Sequence, residues 1–211
     1  MTFARGLVTA QPLATLDLRA AHLGGAPVLG ALKFSIAAGE TVALRGPSGV
    51  GKTTLLRILA GLEDTFDGTL TVTSKTAIMF QEPTLLPWRS ALDNIRIATG
   101  CAPDVALGLL VDVGLGERAG ALPAQLSLGQ QRRLALARAL AKEPELLLLD
   151  EPFVSLDADL VTEMQALIIR LCLRHDRALV IVTHSDSEAE ALATRVVTLG
   201  GTPAQIVSDQ R

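Results

Sequence analysis

The residues Gly46, Pro47, Ser48, Gly49, Val50, Gly51, Lys52 and Thr53 follow the pattern G-x-x-x-x-G-K-[ST]. Their types suit one task, gripping a chain of phosphates. Glycines let backbone N–H groups turn toward a phosphate without side-chain obstruction, and a helix starting there adds its positive end. Lys52 can reach the β- and γ-phosphates, Thr53 can place its hydroxyl on Mg²⁺, and Thr54 extends the nucleotide-binding stretch. A second group follows the apolar run Leu146–Leu149: Asp150 and then Glu151. An acid at the carboxyl end of a buried strand stands where open α/β sheets bind ligands. Asp150 would hold Mg²⁺ through water, and Glu151 would orient or deprotonate an attacking water. Alone, an Asp-Glu pair could equally cap a helix; beside a phosphate loop the catalytic reading is the better one. A third segment, Leu126, Ser127, Leu128, Gly129 and Gln130, opens a basic helix in which Ser127 is a good N-cap and a potential anion contact.

These groups need elements to hold them. Residues 13–19 and 27–36 read as strands, an antiparallel lead-in, and Glu40–Leu44 as a short strand feeding the glycine loop. A helix over Lys52–Leu59 follows, then strands over Thr69–Thr73 and Thr76–Phe80. Between Gln81 and Pro144 apolar residues recur at helical spacing, over Asp93–Thr99, Asp104–Val113 and Ser127–Ala141. Strand and helix then alternate: Glu145–Leu149, Leu156 to about His175, Ala178–Thr183, Asp186–Ala193, Arg195–Leu199. Alternation of this kind implies parallel strands with crossover helices. The fold expected is α/β: a P-loop core with a mainly parallel sheet, an antiparallel N-terminal lead-in and an inserted helical subdomain. One domain spans 1–211, its core at about 1–80 and 145–211 and its helical part at about 81–144.

Gln81 follows a strand, Asp157 comes soon after Asp150, and His184 ends the next strand. In that order the set resembles the nucleotide-binding subunit of ABC transporters over essentially the whole chain. Gly46–Thr53 is similar to Walker A, Gln81 to the Q-loop, and Leu126–Gln130 to the signature. Leu146–Asp150 is similar to Walker B with Glu151 as catalytic glutamate, Ser155–Asp157 to the D-loop, and His184 to the switch histidine. The resemblance implies ATP hydrolysis, with Glu151, His184 and Gln81 as catalytic residues and Thr53, Asp150 and Gln81 around Mg²⁺. It also implies a head-to-tail homodimer in which Ser127 and Gly129 of one subunit close over nucleotide held by the other, and His184 meets the γ-phosphate in cis. His22 and His175 match no catalytic position.

Two features depart from the family pattern. Leu128 stands where a glycine is usual, so closure or turnover could be altered. The aromatic that usually stacks on adenine falls by spacing on Leu23, and the chain has no tyrosine. Weaker, less base-selective binding is expected.

The segment from Phe80 to Trp88, with Leu92–Asn94 after it, resembles importers of the nitrate, sulfonate, taurine and thiamine-precursor group, as does the tail over Ala193–Val207. In such transporters this region receives the coupling helix of a membrane permease, which assigns docking to Leu85, Leu86 and Trp88, although Trp88 could also fill a core. The implied assembly is an ATPase homodimer at the cytoplasmic face of the inner membrane, peripheral, with a permease and a substrate-binding protein. Rivals are a soluble ABC ATPase of cofactor assembly, an exporter motor, or a subunit that binds ATP and scarcely turns over. Bulk properties agree with the main reading. The chain has 211 residues and a net charge of −3, which argues against nucleic acid as the main partner. No run reaches the 18 or so apolar residues of a membrane span, and Pro12 and Asp17 interrupt any secretory signal. Cys101 and Cys172 have no metal or redox spacing and read as packing residues.

Overall fold

The computed structural model describes residues 11–173 and 177–211. The start of the chain and His175 lie outside the described residues. Two sheets are stacked. The first is antiparallel: β1 (Ala14–Leu23) pairs with β2 (Ala26–Leu29) and β3 (Leu32–Ile36) along one edge and with β5 (Phe66–Val72) along the other. The second has the order β10-β9-β4-β8-β7-β6, built from β4 (Thr41–Arg45), β6 (Thr76–Met79), β7 (Leu146–Asp150), β8 (Ala178–Val182), β9 (Arg195–Gly200) and β10 (Gln205–Gln210). Its strands are parallel except for the β9–β10 hairpin.

The helices follow the expected periodicity closely. They are α1 (Lys52–Leu59), α2 (Ala91–Thr99), α3 (Pro103–Asp112), α4 (Leu128–Leu140), α5 (Ala158–Leu173) and α6 (Asp186–Leu192). Helix α5 starts two residues later than expected because the Asp157 carboxylate accepts the Leu160 N–H at 2.9 Å and caps it. Three strand expectations change. Residues 27–36 form two strands, broken where the Gly30 N–H turns aside to donate to the Ala204 carbonyl at 2.8 Å. The expected strand over Thr69–Thr73 begins at Phe66 and joins the antiparallel sheet. β10 was not expected at all, its residues being polar and mostly exposed.

The unbroken apolar strands are explained by burial on both faces. Along β7, Leu147 and Leu149 point into the core shared with α2–α5, while Leu146 and Leu148 face α1 and the antiparallel sheet. β8 alternates likewise, with Leu179 and Ile181 on one side and Ala178, Val180 and Val182 on the other. A period of two with both faces covered gives a continuous apolar run. Each such leucine contributes about 1.5–3 kcal/mol by its transfer from water.

Arg195, at the start of β9, fastens the two sheets together. Its guanidinium is 6% exposed, donates twice to the Asp209 carboxylate on β10 at 2.7 Å, and donates to the Ser35 carbonyl on β3 at 2.8 Å. Its charge also lies 5.6 Å from the Phe34 ring centre.

Candidate active site

The site forms at the carboxyl ends of β4, β7 and β8. β4 ends at Arg45, and the chain turns through Gly46 (φ 145°) to Gly51 (φ 110°) before α1 begins. No side chain other than hydrogen fits either glycine. A Cβ on Gly46 would lie 2.5 Å from the Leu199 carbonyl oxygen, and one on Gly51 would lie 2.7 Å from Leu29. Helix α1 starts without a side-chain cap and without an acidic residue in its first turn. Its free N–H groups and positive end are therefore turned toward the loop, the arrangement that attracts an anion.

Lys52 is buried, and its Nζ donates to the carbonyls of Gly46 and Pro47, each at 2.9 Å. Burial pushes its ammonium below the ordinary lysine range, while the charges of Glu151 and Asp150 pull the other way. Phosphate oxygens are stronger acceptors for this ammonium than the carbonyls that hold it. Thr53 Oγ1 donates to Asp150 Oδ1 at 3.2 Å, joining the glycine loop to the end of β7. Burial pushes the Asp150 carboxyl above the usual range, opposed by that hydroxyl.

Glu151 sits in the left-handed region, at φ 46°. Its N–H donates to the Val182 carbonyl at 3.1 Å, so the end of β8 sets the turn. Its Oε1 is in contact with His184 Nε2. Thus Lys52, Thr53, Asp150, Glu151 and His184, expected from three separate stretches, are brought together. Leu23 ends β1 and is exposed beside the turn to β2, whose Val28 and Leu29 lie against Gly51.

The remaining expected residues lie outside this cluster. Ser127 caps α4 in a reciprocal box: its Oγ accepts the Gln130 N–H at 3.3 Å and Gln130 Oε1 accepts the Ser127 N–H at 3.0 Å. Ser127 and Leu128 are exposed, and Gly129 is buried. Ser155 has φ 61°, and Asp157 caps α5 as described. Gln81 stands exposed just past β6, Leu85 and Leu86 are half-buried, and Trp88 is 68% exposed, which excludes a core role for it.

Three residues that sequence reasoning missed hold these segments. Asn94, fully buried in α2, accepts the Leu86 N–H at 2.7 Å and faces the carbonyls of Leu86, Arg89 and Ser90 with its amide nitrogen at 3.0–3.1 Å. Arg138 of α4 donates to the carbonyls of Pro83 and Thr84, each at 2.8 Å. Arg132 of α4 donates to the carbonyls of Glu151 and Pro152, at 3.2 and 2.6 Å. For Asn94 and Arg132 the available signal was a polar residue in register with the buried face of its helix, beside Ala91 and Ile95 in one case and Gly129 and Leu136 in the other.

Residues 29–154 match the ABC transporter family. The chain is 46% identical over 194 residues to the aliphatic sulfonates import ATP-binding protein SsuB of Granulibacter bethesdensis, covering 91% of this chain and 82% of that one. It is 50% identical over 180 residues to the SsuB 2 protein of Pseudomonas savastanoi pv. phaseolicola, with 84% and 67% covered. Its fold matches the ATP-binding cassette MJ0796, solved as a dimer in a post-hydrolysis state with ADP and Pi. The TM-score is 0.83 at 26% identity, with 94% of this chain and 98% of that one covered. The family match, the import ATP-binding relatives and the fold of a hydrolysing cassette point the same way: the chain belongs to the ABC transporter family, as an ATP-binding and ATP-hydrolysing subunit.

Proposed function

We propose that this subunit powers the import of a small anionic, sulfur- or nitrogen-containing solute through a separate membrane permease. Aliphatic sulfonates are the first cargo class to test, because the relatives above are import proteins for them. The observation that carries the transport reading is the exposed Trp88 at the end of a loop gripped by Asn94 and Arg138. A large aromatic held out by one buried and one half-buried polar anchor suits an interface hot spot, with Leu85 and Leu86 as its apolar floor. The permease would dock there, and the subunit would sit peripherally on the cytoplasmic membrane face beside it. A substrate-binding protein would deliver the cargo. No helix of the described residues is long and apolar enough to cross a membrane.

In this reading residues 1–80 and 145–211 form the nucleotide-binding core, and 81–144 the helical part that responds to the permease. Residues 46–54 wrap the phosphates, and Lys52 trades its two carbonyls for β- and γ-phosphate oxygens. The base rests against Leu23. Mg²⁺ fits the donor set: the Thr53 hydroxyl and Asp150 carboxylate are hard oxygen ligands already 3.2 Å apart, and burial leaves the carboxylate short of compensating charge. Thr53, Asp150 and Gln81 would hold it, and it would neutralise charge between the β- and γ-phosphates. Glu151 orients the attacking water and takes its proton. His184, in contact with Glu151, stabilises charge developing on the γ-phosphate. Ser127 and Gly129 of a second copy complete the site in trans, with Ser155 and Asp157 lining the junction between the copies.

The test is capture of tagged Glu151→Gln protein from detergent-solubilised source membranes in Mg-ATP. A stoichiometric polytopic membrane protein is expected. Only soluble partners would sink the transport reading in favour of a cytosolic ATPase.

A further inference from the structure

Arg132 lies five residues after Ser127, about 7.5 Å along the helix axis. It is 3% exposed, and two backbone carbonyls, those of Glu151 and Pro152, receive its Nη1. Its Nε is buried with no hydrogen-bond partner among the described residues. Burial lowers its pKa from the ordinary arginine value, with no carboxylate offsetting it. A buried cation facing only carbonyls is a poor way to fill space, since an apolar side chain of similar length packs without the desolvation cost. The position therefore calls for an explanation in terms of what the guanidinium holds.

It holds the turn that carries Glu151. That turn is gripped from two sides: the Glu151 N–H donates to Val182 at the end of β8, and the Glu151 carbonyl accepts from Arg132 on α4. With φ at 46°, the backbone of Glu151 lies in a region that non-glycine residues keep only when their surroundings enforce it. His184, two residues beyond Val182, touches the carboxylate from the β8 side. The direction of the Glu151 side chain is thus set jointly by the His184 strand and by the helix that begins at Ser127.

We propose that Arg132 is a positioning residue through which α4 aims the Glu151 carboxylate. Closure of Ser127 and Gly129 over nucleotide held by the partner would thereby be felt at this subunit's own hydrolytic site. The inference rests on the head-to-tail dimer proposed above. In such a dimer the first turn of α4 meets one nucleotide, while Arg132, on the same rigid helix, holds the residue that activates the water attacking the other. The two sites then close and fire together rather than independently.

The test uses the full chain with Arg132→Met, which keeps length and apolar packing but removes the donors, and Arg132→Lys, which keeps a charge and part of the donation. Nucleotide affinity, thermal midpoint, kcat and the Hill coefficient for ATP are measured on each. For the Met variant, affinity and midpoint stay near the parent's, kcat falls by about a hundredfold, as for a small misplacement of a reacting group, and the Hill coefficient drops from above one to one. The Lys variant falls between, and decides the matter if the Met variant does not fold. Adding Glu151→Gln to Arg132→Met costs little more, because both changes remove the same aimed carboxylate. Unchanged kcat and cooperativity overturn the proposal. So does a loss of kcat that tracks lost nucleotide affinity and midpoint, or one that leaves the Hill coefficient untouched. Failure of the dimer reading shows separately, as Glu151→Gln protein that does not dimerise in Mg-ATP whatever stands at position 132.

Discussion

Replacing Asn94 tests whether the loop from Leu86 to Ser90 is shaped by one buried amide. The side chain is fully buried and meets four backbone groups, the Leu86 N–H and the carbonyls of Leu86, Arg89 and Ser90. An amide has two N–H donors, so about three of these contacts form at once. At about 1 kcal/mol net per bond, and with a half-buried Leu86 N–H left short of a partner, Asn94→Ala should cost about 2–4 kcal/mol. In a domain of this size that lowers the melting midpoint by roughly 5–12 °C. Asn94→Asp separates hydrogen bonding from volume, because it keeps the acceptor for Leu86 but turns a carboxylate oxygen toward the carbonyls that the amide donated to. It should be at least as destabilising as the alanine change, although it leaves less empty space. Thermal melts of both variants, with limited proteolysis read at residues 86–90, supply the measurement. A drop of under about 2 °C for Asn94→Ala, or an aspartate variant clearly milder than the alanine one, would refute the reasoning.

Three further outcomes are expected. Leu128→Gly removes an exposed side chain from the start of α4 and should raise kcat about two- to tenfold if the leucine costs about a kcal/mol at closure; an unchanged or lower rate counts against it. Parent ATP and GTP affinities should agree within tenfold or so, and Leu23→Tyr should tighten ATP by about two- to tenfold through stacking worth about 0.5–1.5 kcal/mol; isothermal titration decides. Asp150→Asn should raise the melting midpoint while abolishing hydrolysis. The native carboxyl is raised by burial, so its ionised form weakens the fold at neutral pH, and that penalty fades as pH falls through its folded pKa. The stabilisation by asparagine should therefore be largest near neutrality and shrink toward about pH 4; a gain that grows on acidification would reverse the sign.

Much of the site could be read before the fold was in hand, because its chemistry is local. The glycine loop, the four leucines before Asp150 and the serine opening α4 each combine a motif with the element that presents it, and Lys52–Leu59 forms the helix expected. What escaped is non-local. β10 is polar and gains its place through Arg195, whose partner Asp209 lies 14 residues on. The pairing of β5 with β1 depends on a strand choice that no short pattern encodes. Asn94, Arg132 and Arg138 escaped for a different reason. Their partners are mainly backbone groups, and a backbone group has the same identity at nearly every position, so little in the sequence marks the partner. The Trp88 segment lay between: its apolar character was plain, but only the fold tells an exposed tryptophan from a buried one.

The place of β4 in the sheet bears on how the protein is made. β4, which delivers the chain to Gly46, lies between β8 and β9, with Thr41 opposite Leu179 and Val42 opposite Arg195. Both neighbours leave the ribosome long after the glycine loop does, at synthesis rates of about 5–20 residues per second. Through that interval the loop has no platform on either side, and pairing across so long a separation is slow even once the strands exist. Nascent subunits should therefore be blind to ATP until β8 and β9 have emerged and paired with β4. Nucleotide capture then reports that β8 and β9 are in place, and cells with plentiful ATP would stabilise subunits that carry both strands while leaving those truncated before them to proteolysis.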